Sequence, residues 1–180
     1  NLDNWRVGGD LYIKNSFFSN ILMSTCITTT TKVKTFTTYL EGCQFINIST
    51  RKNIRGTYIS GCGSSILCLN RGNLVVSECN FTNNMAEVNG GAIYAESDAI
   101  EIRNCQFVLC SAGPNEENGL GGAVFLNQTL RGGYDIFFQN YFFNCSASYG
   151  GGGLFIYCRD VYMASEILGT DFGKYGIQIY

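Results

Sequence analysis

Gly90-Gly91-Ala92-Ile93-Tyr94 returns as Gly121-Gly122-Ala123-Val124-Phe125, and again, less closely, as Gly151-Gly152-Gly153-Leu154-Phe155. Between these strings runs a second recurring element: an apolar residue, a polar residue or Cys three positions on, and an aromatic two further on. It reads Tyr12, Asn15, Phe17; Leu40, Cys43, Phe45; Val76, Cys79, Phe81; Ile102, Cys105, Phe107; Phe137, Asn140, Phe142; and, more weakly, Met163, Glu166, Leu168. The last member of each set recurs at intervals of 28, 36, 26, 35 and 26 residues. A local pattern that holds while the spacing varies describes stacked structural repeats joined by loops of unequal length.

Each repeat carries short alternating segments rich in Val, Ile, Tyr, Phe and Thr, bounded by Gly, Asn and Ser. No apolar pattern with helical spacing runs for three turns, so the elements are strands. Three strands and three turns per repeat predict one rung of a parallel β-helix, each strand pairing with its equivalent about 4.8 Å away. The expected fold is all-β: a single-stranded parallel β-helix, or solenoid, of about six rungs forming one domain over residues 1–180. The only proline, Pro114, sits in the polar excursion Gly113-Pro114-Asn115-Glu116-Glu117-Asn118-Gly119, outside any internal ladder.

The Gly-Gly-Ala-Ile strings, with the Phe-x-x-Asn strings Phe17 to Asn20 and Phe81 to Asn84, resemble the repeats of chlamydial polymorphic membrane proteins. More loosely, they are similar to right-handed β-helix repeat proteins of microbial eukaryote surfaces. Phe45, Phe107 and Phe142 lack the Asn three residues on. The resemblance implies right-handedness and a surface or adhesive role, and carries over no catalytic residue.

With 12 basic and 14 acidic residues the chain lacks the basic face that nucleic acid demands. No run approaches 18 apolar residues, so no transmembrane segment is expected. The chain opens at Asn1 without Met and ends on the strand-like Ile177-Gln178-Ile179-Tyr180, which reads as a mature or excised piece of something longer. Nine cysteines without Cys-x-x-Cys pairing, and no histidine, favour disulfides in an oxidising compartment over zinc. Cys43, Cys79 and Cys105 share one column, and Cys110 and Cys145 another. Stacked neighbours fall within disulfide reach, so Cys79 with Cys105 and Cys110 with Cys145 are the favoured pairs, with Cys62 and Cys68 as further candidates. The alternative is a ladder of free buried thiols packing as small hydrophobes.

Four sequons, at Asn47, Asn80, Asn127 and Asn144, favour a secreted glycoprotein. Alternation points Asn80 and Asn127 to solvent. Asn47 and Asn144 are exposed only if the strand has already turned.

The glycine pairs Gly90-Gly91, Gly121-Gly122 and Gly151-Gly152 each precede a strand, and no Lys-Ser or Lys-Thr follows. They therefore read as tight corners rather than phosphate cradles. If Glu96 faces water, Ile93 and Ala95 point inward, and Leu67, Tyr94, Phe125 and Phe155 form an outward column. That column is either a contact surface, for another rod or for sugar rings, or a ladder covered by a loop.

The stretch Thr25 to Thr38 holds eight threonines without repeating on later rungs, so it reads as well-pairing strand rather than an ice-binding ladder. Glu96, Asp98 and Glu101, like Glu116 and Glu117, read as solvated charge rather than acid, base or metal ligands, and no cofactor is expected. The functional expectation is an extracellular structural or adhesive protein, a building block of a coat or filament that self-associates end to end or laterally. A carbohydrate- or host-surface-binding module and a polysaccharide lyase or hydrolase are the alternatives.

Overall fold

The computed structural model describes residues 9–31, 36–53, 59–70, 72–114, 119–128, 135–158, 165–168 and 177–179. Every regular element among them is a strand. The first repeat holds β1 (Leu11–Lys14), β2 (Phe17–Ser19) and β3 (Ile27–Thr31). The second holds β4 (Thr37–Glu41), β5 (Gln44–Ile46), β6 (Ser49–Thr50) and β7 (Ile66–Asn70). The third holds β8 (Asn73–Ser77), β9 (Asn80–Thr82), β10 (Met85–Ala86) and β11 (Ile93–Glu96), and the fourth β12 (Ala99–Arg103), β13 (Gln106–Val108), β14 (Ser111–Ala112) and β15 (Val124–Gln128). The fifth holds β16 (Asp135–Phe138), β17 (Tyr141–Phe143), β18 (Ser146–Ala147) and β19 (Leu154–Cys158). β20 (Ser165–Leu168) and β21 (Ile177–Ile179) follow.

Strands of the same kind pair in parallel, repeat on repeat, building four sheets. Sheet A runs β1-β4-β8-β12-β16-β20, sheet B β2-β5-β9-β13-β17, sheet C β6-β10-β14-β18 and sheet D β3-β7-β11-β15-β19-β21. The chain thus visits the sheets in a fixed order and advances one strand per visit, an all-β arrangement compatible with a parallel β-helix. Where three strands per repeat are expected, the structure has a fourth, two-residue strand, because the chain bends again two residues after sheet B. No helix among the described residues is long and apolar enough to cross a membrane.

In-register pairing turns each inward position into a column. Phe18, Phe45, Phe81, Phe107 and Phe142 stack ring on ring at 4.7 to 5.0 Å, the spacing that the parallel ladder imposes. Leu40, Val76, Ile102 and Phe137 line the core from sheet A, and Ile66, Ile93, Val124 and Leu154 from sheet D, all wholly buried in one cluster.

Two of the expected alignments shift. Phe18, not Phe17, pairs with Phe45, and Ile13, not Tyr12, pairs with Leu40. Phe17 and Tyr12 therefore face outward, 62% and 58% exposed. Two adjacent aromatics satisfy a period-two pattern in either register, and the pairing decides between them. At the other end Ile167 pairs with Phe137, so the set Met163, Glu166, Leu168 is displaced by four residues. Met163 lies outside the described residues.

The corners between sheets have their own columns. Between sheets A and B, Asn15, Gly42, Glu78, Asn104 and Gln139 all hold φ of 49 to 63°. Between B and C, Asn20, Asn47, Asn83, Leu109 and Asn144 hold φ of 52 to 56°. One left-handed residue redirects the strand by a sharp angle, and Asn tolerates that conformation better than other side chains.

Candidate functional site

Among the described residues no disulfide joins Cys26, Cys43, Cys62, Cys68, Cys79, Cys105, Cys110 or Cys145, most of which are buried. Cys79 does stack on Cys105 and Cys110 on Cys145, as the spacing predicts, but the sulfurs serve another purpose. Just past each corner the inward sulfur lies against two carbonyls, one two residues back in its own strand and one in the preceding repeat. Cys43 Sγ reaches Ile13 O at 3.5 Å, Cys105 Sγ reaches Val76 O at 3.6 Å, Cys110 Sγ reaches Phe81 O at 3.6 Å and Cys145 Sγ reaches Phe107 O at 3.4 Å.

Asn84 and Asn140 occupy the same columns and make the same bond more strongly. Asn140 Nδ2 donates to Ile102 O at 2.7 Å while its Oδ1 accepts from the Cys105 N–H at 2.9 Å. Asn84 does likewise with Phe45 O and the Ile48 N–H, both at 3.1 Å. Cys and Asn share these columns because each is small and can hydrogen-bond the backbone at the corner. The two Phe-x-x-Asn strings are consequently not equivalent: Asn20 is a solvent-facing corner residue and Asn84 an inward bridge.

A neighbouring thiol and burial raise Cys79 and Cys110, whereas Cys145 is lowered by its hydrogen bond with Cys110. The thiol of Cys79 is raised first by its hydrogen bond with Cys105 and then by burial, and that of Cys110 by burial and then by Cys145. Cys62 is pushed up to about 11, chiefly by burial. Cys62 and Cys68 lie in different apolar clusters, so they are not brought together.

The members of each glycine pair do different work. Gly90, Gly121 and Gly151 hold φ near 64°. Gly91 and Gly122 are required by close approach: a Cβ on Gly91 would collide with the carbonyls of Gly122 and Ser111, and one on Gly122 with those of Gly152 and Ser146. The register expected for the strands that follow is the one found, with Ile93 and Ala95 in the main core and Tyr94 on the opposite face. The column Leu67, Tyr94, Phe125 and Phe155 is nonetheless covered, with Tyr94 only 3% exposed. It forms a second cluster with Cys62, against which Ile59, Val88 and Leu120 from the links between sheets C and D are packed. Of its two expected readings, the covered ladder is the one observed.

Glu96 is tied into that region, its Oε1 accepting from Tyr94 Oη at 2.6 Å and from Asn127 Nδ2 at 3.2 Å. The bond half-buries Asn127, so the outward exposure expected of that sequon is corrected. Asn80 is exposed on sheet B, and Asn47 and Asn144 are exposed because the strand has already turned at their left-handed corners. Glu101 pairs with Arg103 at 3.0 Å across the surface of sheet A. Asp98 stands in the turn between β11 and β12. Glu116 and Glu117 lie outside the described residues.

The outer face of sheet B escaped sequence reasoning. Its outward positions form two columns: Phe17, Gln44, Asn80, Gln106, Tyr141 and, alongside, Ser19, Ile46, Thr82, Val108, Phe143. None of the ten is charged. Tyr141 and Phe143 are 41% and 46% exposed and lie nearly parallel, with interplanar angle 11° and centroids 6.2 Å apart. The signal lies in the residues flanking each core phenylalanine, which only the in-register pairing aligns into columns. No family model matches this chain, and neither the curated proteins nor the solved structures include a match.

Proposed function

We propose that this chain is an extracellular, non-catalytic parallel β-helix, right-handed as its resemblance to microbial surface repeats implies, with a structural or adhesive task. On this reading it is a building block of a coat or filament that associates end to end. One observation carries the proposal: the apolar columns of Leu40, Phe45, Ile48 and Ile66 continue into the outermost described repeat. Ile13, Phe18, Ile21 and Ile27 in the first repeat are only partly buried, while their equivalents Leu40, Phe45, Ile48 and Ile66 are wholly buried. Strands β1, β2 and β3 are the outermost described members of their sheets. An in-register parallel edge backed by apolar side chains is a template for a further repeat.

Free thiols remove disulfides from the argument for an extracellular location. They do not oppose it, because a buried thiol held in its protonated form is a poor target for oxidation. The accessible sequons at Asn47 and Asn144 support secretion and glycosylation. Electron microscopy of the native protein tests the assembly. Rods much longer than one subunit, with an axial repeat of about 4.8 Å, are expected, and dispersed short particles would refute it.

A further inference from the structure

We infer that the outer face of sheet B is a binding platform for an extended, neutral polysaccharide. The inference deepens the adhesive half of the proposed function and rests on it. Five parallel strands paired in register carry this face, so little ordering of the backbone is needed on binding. Tyr141 and Phe143 offer two nearly parallel, partly exposed rings on one strand. Pyranose rings present C–H groups to such aromatic faces, as apolar ligand edges do to π-systems.

Up the stack, Gln106, Asn80 and Gln44 continue the Tyr141 column at the ladder spacing, and Phe17 closes it. Each amide supplies both donors and an acceptor, the combination that pairs with a hydroxyl. Charge selects the class of ligand. All ten outward positions of sheet B are uncharged, whereas the outer face of sheet A carries Lys14, Glu41, Glu101 and Arg103. An uncharged, amide-rich face complements a neutral hydroxylated chain and supplies no counter-charge for a sulfated or uronic one.

The test uses the intact chain with cellulose, a β-1,3-glucan and chitin as probes, and heparin as the acidic comparator. Binding to at least one neutral polymer is expected, unchanged from low salt to about 1 M. The double variant Tyr141→Ala/Phe143→Ala should bind about tenfold or more weakly while melting like the parent, because both rings are exposed. Gln44→Ala/Gln106→Ala, away from the rings, should also weaken binding. Asn80→Gln keeps the amide but removes the sequon, and should bind as well as the parent or better. Loss of binding in Asn80→Gln would mean that the sugar on this face is the chain's own, overturning the inference. Binding to heparin alone, or neutral binding that survives both double variants, also overturns it. So does a shift to smaller particles caused by Tyr141→Ala/Phe143→Ala, which would make the occupant a second copy. Rods that bind no polysaccharide overturn this inference and leave the proposed assembly standing; isolated particles that bind a neutral polymer in the predicted manner support it without the assembly.

Discussion

Phe81 and Phe107 each lie between two rings, wholly buried, so removing either side chain opens a cavity bounded above and below by aromatic faces. Phe81→Ala is expected to cost about 3–5 kcal/mol. Phe18→Ala, at the outermost and only partly buried position of the same column, is expected to cost less than half as much. Urea denaturation of the two variants measures the difference, and equal losses would count against a column that ends at Phe18. Replacement at Asn140 separates hydrogen bonding from packing. Asn140→Leu removes the acceptor of the Cys105 N–H, at about 1–3 kcal/mol, whereas Asn140→Cys restores a sulfur acceptor, like that of Cys79 for the Cys43 N–H, and should lose less. The positions of these columns were legible from the spacing of Leu40, Cys43 and Phe45. The work done by the cysteines was not, because a stacked pair looks the same in sequence whether its sulfurs bond to each other or to carbonyls.

Each element here is a short strand ended by one residue in the left-handed region, and the strain of that residue decides how well the corner holds. Leu109 occupies a position where its stacked neighbours are Asn83 and Asn144, holds φ of 56° and exposes half its surface. Leu109→Asn is therefore expected to stabilise the chain by about 1 kcal/mol, seen as a higher melting temperature; a loss would show that Leu109 has a packing role. Asn47 Nδ2 already bonds to Asn20 Oδ1 at 3.3 Å and Asn83 Nδ2 to Asn47 Oδ1 at 2.8 Å, the kind of amide ladder the substitution would extend. Gly91→Ala is the opposite case. Its Cβ would meet the main chain of two other segments, Gly122 and Ser111, so the fourth repeat cannot seat. Circular dichroism and proteolysis should show loss of the native fold, and a variant that melts normally would place the collision elsewhere.

The whole molecule is a stack in which each repeat touches its neighbours, so stability is close to a sum over interfaces between repeats. Burial of the thiols links that sum to pH. A thiol whose folded pKa is raised keeps its full contribution below the unfolded value and loses it as pH rises towards the folded one. For Cys62 the window runs from the ordinary 9.0 to about 11. Stability should accordingly be level up to about pH 9 and fall through the next two units, and Cys62→Ala should flatten part of that fall. Urea midpoints across this range measure it, and a Cys62→Ala curve parallel to the parent's would exclude the thiol as a cause.

The repeat, the strands, the parallel stacking and the glycine corners were all determined by the sequence alone, because each follows from local period and residue type. Register was decided only by tertiary pairing: Phe17-Phe18 satisfies either phase until β2 lies against β5. Coverage was decided there too, since alternation places Tyr94 on the face opposite Ile93 but cannot show that links distant in sequence fold over it. The outer face of sheet B arises the same way. Gln44, Asn80, Gln106 and Tyr141 are separated by 26 to 36 residues in the chain, and only the in-register ladder places them side by side on one surface.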